Sequence, residues 1–311
     1  MFSRLYRLFS DTPEYKMPPV RGKVVYDAPL AKRTWLGVGG DADVLFEPAD
    51  EDDLKFFLEA RGNIPVTVLG GGSNVLIRDG GIPGVVIVLG EGFNTVSIDG
   101  DLIRCGGAVR DGDLAKAACE AGLSGFEFLA CIPGTLGGAA RMNAGANGSC
   151  IADRLVSMSG WELSGTKIEM TRDEIPFDYR TNDLPGGWIF TEIILKGIPE
   201  NKQNIQKLMT EYRKIREKSQ PRGVRTAGSM FKNPVGLTAW QLIEKAGCRG
   251  LRIGDAVVSE KHANFFVNVG DATAQDFEDL IETVRQRVWK TSEIMLEPEV
   301  RLMGVKTKDS G

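Results

Sequence analysis

Two glycine clusters carry the strongest chemical possibilities in this chain. The first is Gly70-Gly71-Gly72-Ser73-Asn74, set between the apolar runs Val66–Leu69 and Val75–Ile77. Glycines let a backbone turn tightly and aim successive N–H groups into one concavity, and Ser73 and Asn74 add side-chain donors, which is how a loop cradles an anion such as a phosphate. The run lies between two strands, so it is not the turn that opens a Rossmann helix, and it lacks the lysine of a P-loop. A plain tight connection between strands has the same composition, so the residues alone leave both readings open. The second cluster is Ile132-Pro133-Gly134-Thr135-Leu136-Gly137-Gly138-Ala139-Ala140, leading into Met142-Asn143-Ala144-Gly145. Small residues at such intervals admit a flat ligand close to the backbone, or equally a close crossing of two chain segments. Taken together, the clusters describe a two-sided cofactor cleft.

Three polar residues far apart in the chain are candidates for reaction chemistry. Arg180 follows Phe177 and Tyr179 in an alternating, strand-like segment. A guanidinium is always charged and can hold a carboxylate through two parallel hydrogen bonds, although a surface arginine fits the same pattern. Ser229 stands in Gly228-Ser229-Met230 with no histidine nearby in sequence, which argues against a hydrolytic nucleophile and leaves a hydroxyl able to give a proton to a strong base such as a carbanion. Glu297 and Glu299 would share one face of an expected closing strand, Leu296–Met303, and period-two geometry does not choose between them.

Composition narrows the class. The chain has 311 residues, 26% charged and 42% hydrophobic, with a formal net charge of -4. That is an ordinary globular balance, long enough for about two domains, without the basic field that grips nucleic acid. The five cysteines are odd in number, widely spaced and accompanied by a single histidine, His262, so neither a disulfide framework nor a metal site is expected. No apolar window is long enough for a membrane span, Met1–Ser10 is too short for a targeting helix, and the expected location is the cytoplasm.

The positioning elements follow from periodicity. Asp50 can cap a helix whose Leu54, Phe57 and Leu58 recur at helical spacing, closed by Gly62-Asn63. Val85–Leu89 reads as a strand buried on both faces, and Asp99-Gly100 as a hairpin turn. A helix at Asp111–Ala121 ends at Gly122, a hairpin turns at Ser164-Gly165, and Trp188–Leu195 is a strand. The amphipathic stretch Asn204–Lys218 predicts a helix bridging two domains. Ala239–Ala246 predicts a further helix, His262–Val269 a strand, and Phe277–Val288 a longer helix. The mixture predicts an α+β architecture.

Read in order, the motifs Thr34-Trp35-Leu36-Gly37-Val38-Gly39-Gly40, Gly70 to Gly80, Ile132 to Gly145, Phe177-Asp178-Tyr179-Arg180, Ala227 to Pro234, Val258 to His262 and Leu296 to Arg301 resemble the UDP-N-acetylenolpyruvoylglucosamine reductases, also called UDP-N-acetylmuramate dehydrogenases, of peptidoglycan precursor synthesis. The likeness spans Val24 to Gly304. It implies an FAD-binding fold of the vanillyl-alcohol-oxidase type followed by a smaller α/β substrate domain. The division expected is a loose tail at 1–21, an FAD-binding domain at 22–200 with subdomains at about 22–94 and 95–200, a substrate-binding domain with the closing strand at 201–305, and a tail at 306–311. FAD would be noncovalent, since the only histidine lies outside the flavin domain.

The resemblance further implies hydride transfer from NADPH, by way of FAD, to the terminal carbon of an enolpyruvyl ether on a UDP-sugar. Arg180 and Glu299 would stabilise the resulting charge and Ser229 would supply the proton, with Glu299 protonated near neutral pH. Asn233 matches a substrate-contacting position, Arg301 is a second substrate candidate, and Arg222, Arg225 and Lys232 are further cations nearby. NADPH and the sugar nucleotide are small-molecule partners, and no obligatory protein partner is expected. Cys131 and Asn147 depart from the family pattern, and there is no room after Arg180 for the extra tyrosine-bearing loop of one branch, so the chain resembles the shorter branch. Two other classes remain open at this point: a flavin oxidase on the same scaffold, and a silent nucleotide-sugar binder.

Overall fold

The structure, a computed structural model, describes residues 15–307. The expectations for Met1–Ser10, for most of the N-terminal tail and for the end of the C-terminal tail lie outside the described residues.

The first lobe contains β1 (Lys23–Pro29), β2 (Asp41–Glu47), α1 (Glu51–Ala60), β3 (Val66–Val68), β4 (Val75–Ile77) and β5 (Ile82–Ile87). Its sheet runs β1-β2-β5-β3, with β5 parallel to both flanking strands and β1 antiparallel at the edge. Val85, Val86 and Ile87 are all buried, as a strand covered on both faces requires. Asp50 caps α1 by accepting from Asp53 N–H at 2.9 Å, and Phe57 stacks at 4.9 Å on Phe46 of the sheet.

The second lobe is an antiparallel sheet built from β6 (Val96–Asp99), β7 (Leu102–Gly106), β8 (Leu155–Trp161), β9 (Lys167–Thr171) and β10 (Ile189–Lys196), in the order β9-β8-β10-β7-β6. Helices α2 (Asp111–Glu120) and α3 (Leu136–Arg141) pack on it around Ile103, Leu114, Phe128 and Ile193. The β6–β7 turn is displaced by one residue from the sequence expectation. Asp99 pairs with Leu102, so the loop is Gly100-Asp101, with glycine at positive φ in the first central position as type II′ turns favour. The amphipathic segment forms α4 (Lys202–Ser219). Ile205 and Met209 join the second-lobe core, so the helix rests on that lobe and does not stand free between lobes.

The third lobe comprises β11 (Arg225–Ser229), α5 (Ala239–Lys245), β12 (Arg252–Ile253), β13 (Ala256–Val258), β14 (Phe265–Asn268), α6 (Ala274–Ser292) and β15 (Arg301–Met303). The sheet order is β11-β14-β13-β12. The strand expected from His262 begins only at Phe265, because Phe265 N–H donates to the His262 carbonyl across a turn. The expected closing strand is regular only over Arg301–Met303, since Pro298 and the crossing of chains before it interrupt the ladder. It pairs in parallel with β4 of the first lobe, Arg301 opposite Val75 and Met303 opposite Ile77. The lobes interlock further: Leu36, Val38 and Leu76 enter the third-lobe core, Asp79 accepts from the first N–H groups of α6, and Arg78 forks onto Glu278 at 3.0 and 3.2 Å. Among the described residues no helix is long and apolar enough to cross a membrane, and no cluster of acidic, histidine and cysteine residues could hold a metal.

Candidate active site

A cleft of about 840 Å³ runs along the junction of the three lobes, a size typical of cofactor sites. Its floor is the loop joining β3 to β4. The N–H groups of Gly71, Gly72 and Ser73 donate to no protein acceptor among the described residues, which is the condition for an anion nest. The glycines are required: a Cβ on Gly71 would lie 2.8 Å from Gly134 Cα, and one on Gly72, at φ +67, 1.9 Å from the Arg33 carbonyl. The two side-chain donors are already engaged. Ser73 Oγ donates to the Pro133 carbonyl at 2.7 Å and Asn74 Nδ2 to the Glu299 carbonyl at 3.1 Å, so the loop offers its backbone to a ligand while its side chains tie down the opposite walls.

The second cluster contains the short helix α3. Gly137 is a close crossing, its would-be Cβ 3.1 Å from Gly107 O, whereas Ile132 to Thr135 and Gly138 line the cleft against the first loop. Beneath Gly134 lies Asp111, whose Oδ1 is buried without a hydrogen-bond partner among the described residues. A glycine cradle with free donors and an orphaned acid beside it fit a phosphate-bearing dinucleotide such as FAD.

Arg180, Ser229 and Glu299, widely separated in sequence, line the same cleft. Arg180 does not sit on a strand: Asp178 bridges Thr181, and Arg180 occupies the turn between them at φ +60, a region that costs a non-glycine residue about 1 kcal/mol. Asn143, at the end of the second cluster, fixes that turn by donating to the Asp178 carbonyl at 3.0 Å. Arg180 Nε then meets Glu299 Oε1 at 2.9 Å, with the guanidinium 5.1 Å from the Tyr179 ring centre. Ser229 ends β11. Glu299 runs alongside the next residue, donating its N–H to the Met230 carbonyl at 2.9 Å, and both Ser229 and Glu299 line the cleft. Of the two glutamates, Glu299 lines the cleft, whereas Glu297 is largely exposed and pairs with Lys232 at 2.6 Å. Burial pushes the Glu299 carboxyl above its ordinary range. The Arg180 charge pulls against that, as do Lys232 and Arg301, without cancelling it.

Of the substrate candidates, Arg301 lines the cleft at the start of β15. Asn233 is exposed, is not among the lining residues, and accepts from Ala239 N–H at 2.9 Å at the start of α5. Sequence reasoning missed Arg141 and Arg216. Both line the cleft with no carboxylate ion-pair partner among the described residues, and burial lowers the pKa of each. A signal existed for Arg141, which directly follows the small residues of the second cluster. His262 packs between Trp240 and Phe265 instead of lining the cleft, and burial lowers its pKa. Cys131 lines the wall near Arg216. Asn147 gains a physical reason: Ala146 pairs with Ser149, so Asn147-Gly148 is a two-residue turn with both residues at positive φ, the conformation asparagine and glycine favour and an aromatic does not.

Comparison with known proteins matches residues 42–171 to an FAD binding domain and residues 220–303 to the C-terminal domain of UDP-N-acetylenolpyruvoylglucosamine reductase. The chain is 49% identical to the UDP-N-acetylenolpyruvoylglucosamine reductase of Parvibaculum lavamentivorans, over 95% of this chain and 96% of that one. It is 50% identical to the enzyme of that name from Paramagnetospirillum magneticum, over 93% and 95%. The crystal structure of UDP-N-acetylenolpyruvylglucosamine reductase from Thermus caldophilus superposes with a TM-score of 0.80 at 37% identity, covering 91% of this chain and 99% of that one.

Proposed function

The chain belongs to the UDP-N-acetylenolpyruvoylglucosamine reductase family, and on that premise we propose how its cleft works. It is an FAD-dependent oxidoreductase that reduces the enolpyruvyl group of UDP-N-acetylglucosamine enolpyruvate to UDP-N-acetylmuramate, a step of peptidoglycan synthesis. Bound FAD supplies the two-electron carrier between a nicotinamide donor, here assigned as NADPH, and the terminal carbon of the enolpyruvyl double bond.

The observation that carries the assignment of residues is the Arg180–Glu299 pair in the cleft that Ser229 also lines. The substrate's carboxylate competes with Glu299 for the Arg180 guanidinium. As Arg180 turns to the substrate, Glu299 loses its counter-charge in a buried setting, and its carboxyl is drawn further toward the neutral, hydrogen-bond-donating form. Charge that develops on the carbon next to the carboxylate is then met by a cation and a neutral acid in a site shielded from water. The Ser229 hydroxyl gives its proton to that carbon, completing the lactyl ether, and recovers one from solvent. Gly70 to Asn74 and Ile132 to Gly138 form the cofactor walls, while Arg301 holds the anionic part of the sugar nucleotide. Asn233 is the weaker substrate candidate, because it is not among the cleft-lining residues and its side-chain oxygen already accepts from the start of α5. We assign 22–200 to cofactor binding and 201–305 to substrate binding, with β15 of the third lobe pairing with β4 of the first. Five free cysteines among the described residues support a reducing, cytoplasmic setting.

The test is a coupled assay on purified protein. A yellow protein that consumes NADPH only when the enolpyruvyl sugar nucleotide is present supports the reading. Consumption of NADPH without it, or a colourless protein, contradicts it.

A further inference from the structure

Asp111, the first residue of α2, is 1% exposed yet belongs to the cleft lining. A Cβ built on Gly134 would stand 3.0 Å from Asp111 Oδ2 and 3.3 Å from Ser73 Oγ, so the carboxyl lies where the two glycine clusters meet. Other buried acids in this protein are fully served. Asp53 accepts from the N–H groups of Arg21, Gly22 and Ala49, and Glu127 from Ser124 and Gly125. Asp111 Oδ1 alone among the described buried carboxyl oxygens has no partner, and a buried polar atom in that condition marks a group that something else must complete. An ionised carboxylate there would repel the diphosphate that the free N–H groups of Gly71, Gly72 and Ser73 attract. A neutral carboxylic acid would donate a hydrogen bond to it.

We propose that Asp111 is a cofactor-binding residue acting as a neutral acid, its O–H donating to a phosphate oxygen of the dinucleotide seated on the glycine nest. The inference rests on the FAD reading of the cleft. Burial supports the protonation state, pushing the Asp111 carboxyl up to about 8. Burial is the whole cause: Arg110 and Asp113 on its own helix, Glu127 and Cys131 on the turn packed beside it, and Lys202, Arg213 and Arg216 on α4 do not shift it. The segments Gly70 to Asn74 and Pro133 to Thr135 carry no titratable side chain. An anion bound nearby raises the value further, so at alkaline pH cofactor binding must take up a proton.

The experiment measures binding instead of turnover. Full-length protein stripped of flavin is titrated with FAD by fluorescence from about pH 6 to about pH 9.5, as wild type, Asp111→Asn and Asp111→Leu. The expected wild-type Kd is flat to about pH 8 and then rises about tenfold per pH unit. Asp111→Asn, whose amide donates at every pH, should bind within a few-fold of wild type at neutral pH and lose the alkaline dependence. Asp111→Leu should bind about tenfold or more weakly at neutral pH. A flat wild-type profile, an alkaline fall retained by the asparagine variant, or wild-type affinity in the leucine variant would overturn the inference. If the leucine variant does not fold, the wild-type and asparagine profiles decide. Wild type that binds no FAD at any pH would overturn the FAD reading itself, and this inference with it.

Discussion

Arg180 and Glu299 hold each other with side chains 23% and 13% exposed, so each neutralises a charge that would be costly alone. Glu299→Gln keeps a neutral donor and should retain more activity than Glu299→Ala. Because the Glu299 carboxyl is raised, its protonated fraction falls as pH climbs, and wild-type kcat should fall with it on the alkaline side while the glutamine variant is flatter. Ser229→Ala should leave flavin reduction by NADPH nearly intact and slow reoxidation by the sugar nucleotide by about 10²–10⁴-fold, read by stopped-flow absorbance. Equal slowing of both halves would remove the proton-donor role. Asp111 also bears on stability. Its folded value of about 8 lies above an unfolded value of about 3.9, so the folded chain holds a proton that the unfolded chain has released. Its contribution is therefore full below about pH 4 and lost as pH rises through about 8. Flavin-free Asp111→Asn should gain in melting temperature over wild type as pH rises across that window, and a constant difference would contradict this. At this scale the residue types named the chemistry but not the geometry. Nothing in Tyr179-Arg180 announces positive φ, and neither the burial of Asp111 nor the placement of Arg141 on the cleft wall is visible before the chain folds.

At the scale of elements, local signals placed the ends of α1 and α2, although the Asp99-Gly100 turn lies one residue further on. Asp50 starts α1, Gly62 follows its end at φ +59, and Gly122 does the same after α2 at φ +69. The other errors came where non-local contacts decide. The strand expected from His262 is shortened by a turn, and most of Leu296–Met303 is held by crossing chains in place of a regular ladder. Helix α6 shows such remote control directly. Thr273 caps it locally, but Asp79 of the first lobe also accepts from Ala274 and Gln275 N–H at 2.9 and 3.0 Å. Asp79→Ala should cost about 1 kcal/mol in thermal or denaturant unfolding, and an unchanged midpoint would show that this reach across lobes contributes nothing.

For the whole molecule, the α+β class was legible because periodicity and turn chemistry are local. The interlocking was not, because no sequence pattern states that β15 returns to β4. That pairing, the shared core at Leu36, Val38 and Leu76, and the Arg78–Glu278 fork make the lobes mutually dependent. Calorimetry on the FAD-loaded protein should accordingly give one cooperative transition, whereas two separated endotherms would mean that the lobes unfold independently. The bond from Asn74 to the Glu299 carbonyl, and its reciprocal from Arg301 N–H to the Asn74 carbonyl, also has a consequence for how the protein is made. A ribosome delivers the glycine loop well before Glu299, which follows Asn74 by 225 residues. A nascent chain therefore has a cofactor cradle long before it has its acid, and the reductase becomes competent only when β15 is threaded home.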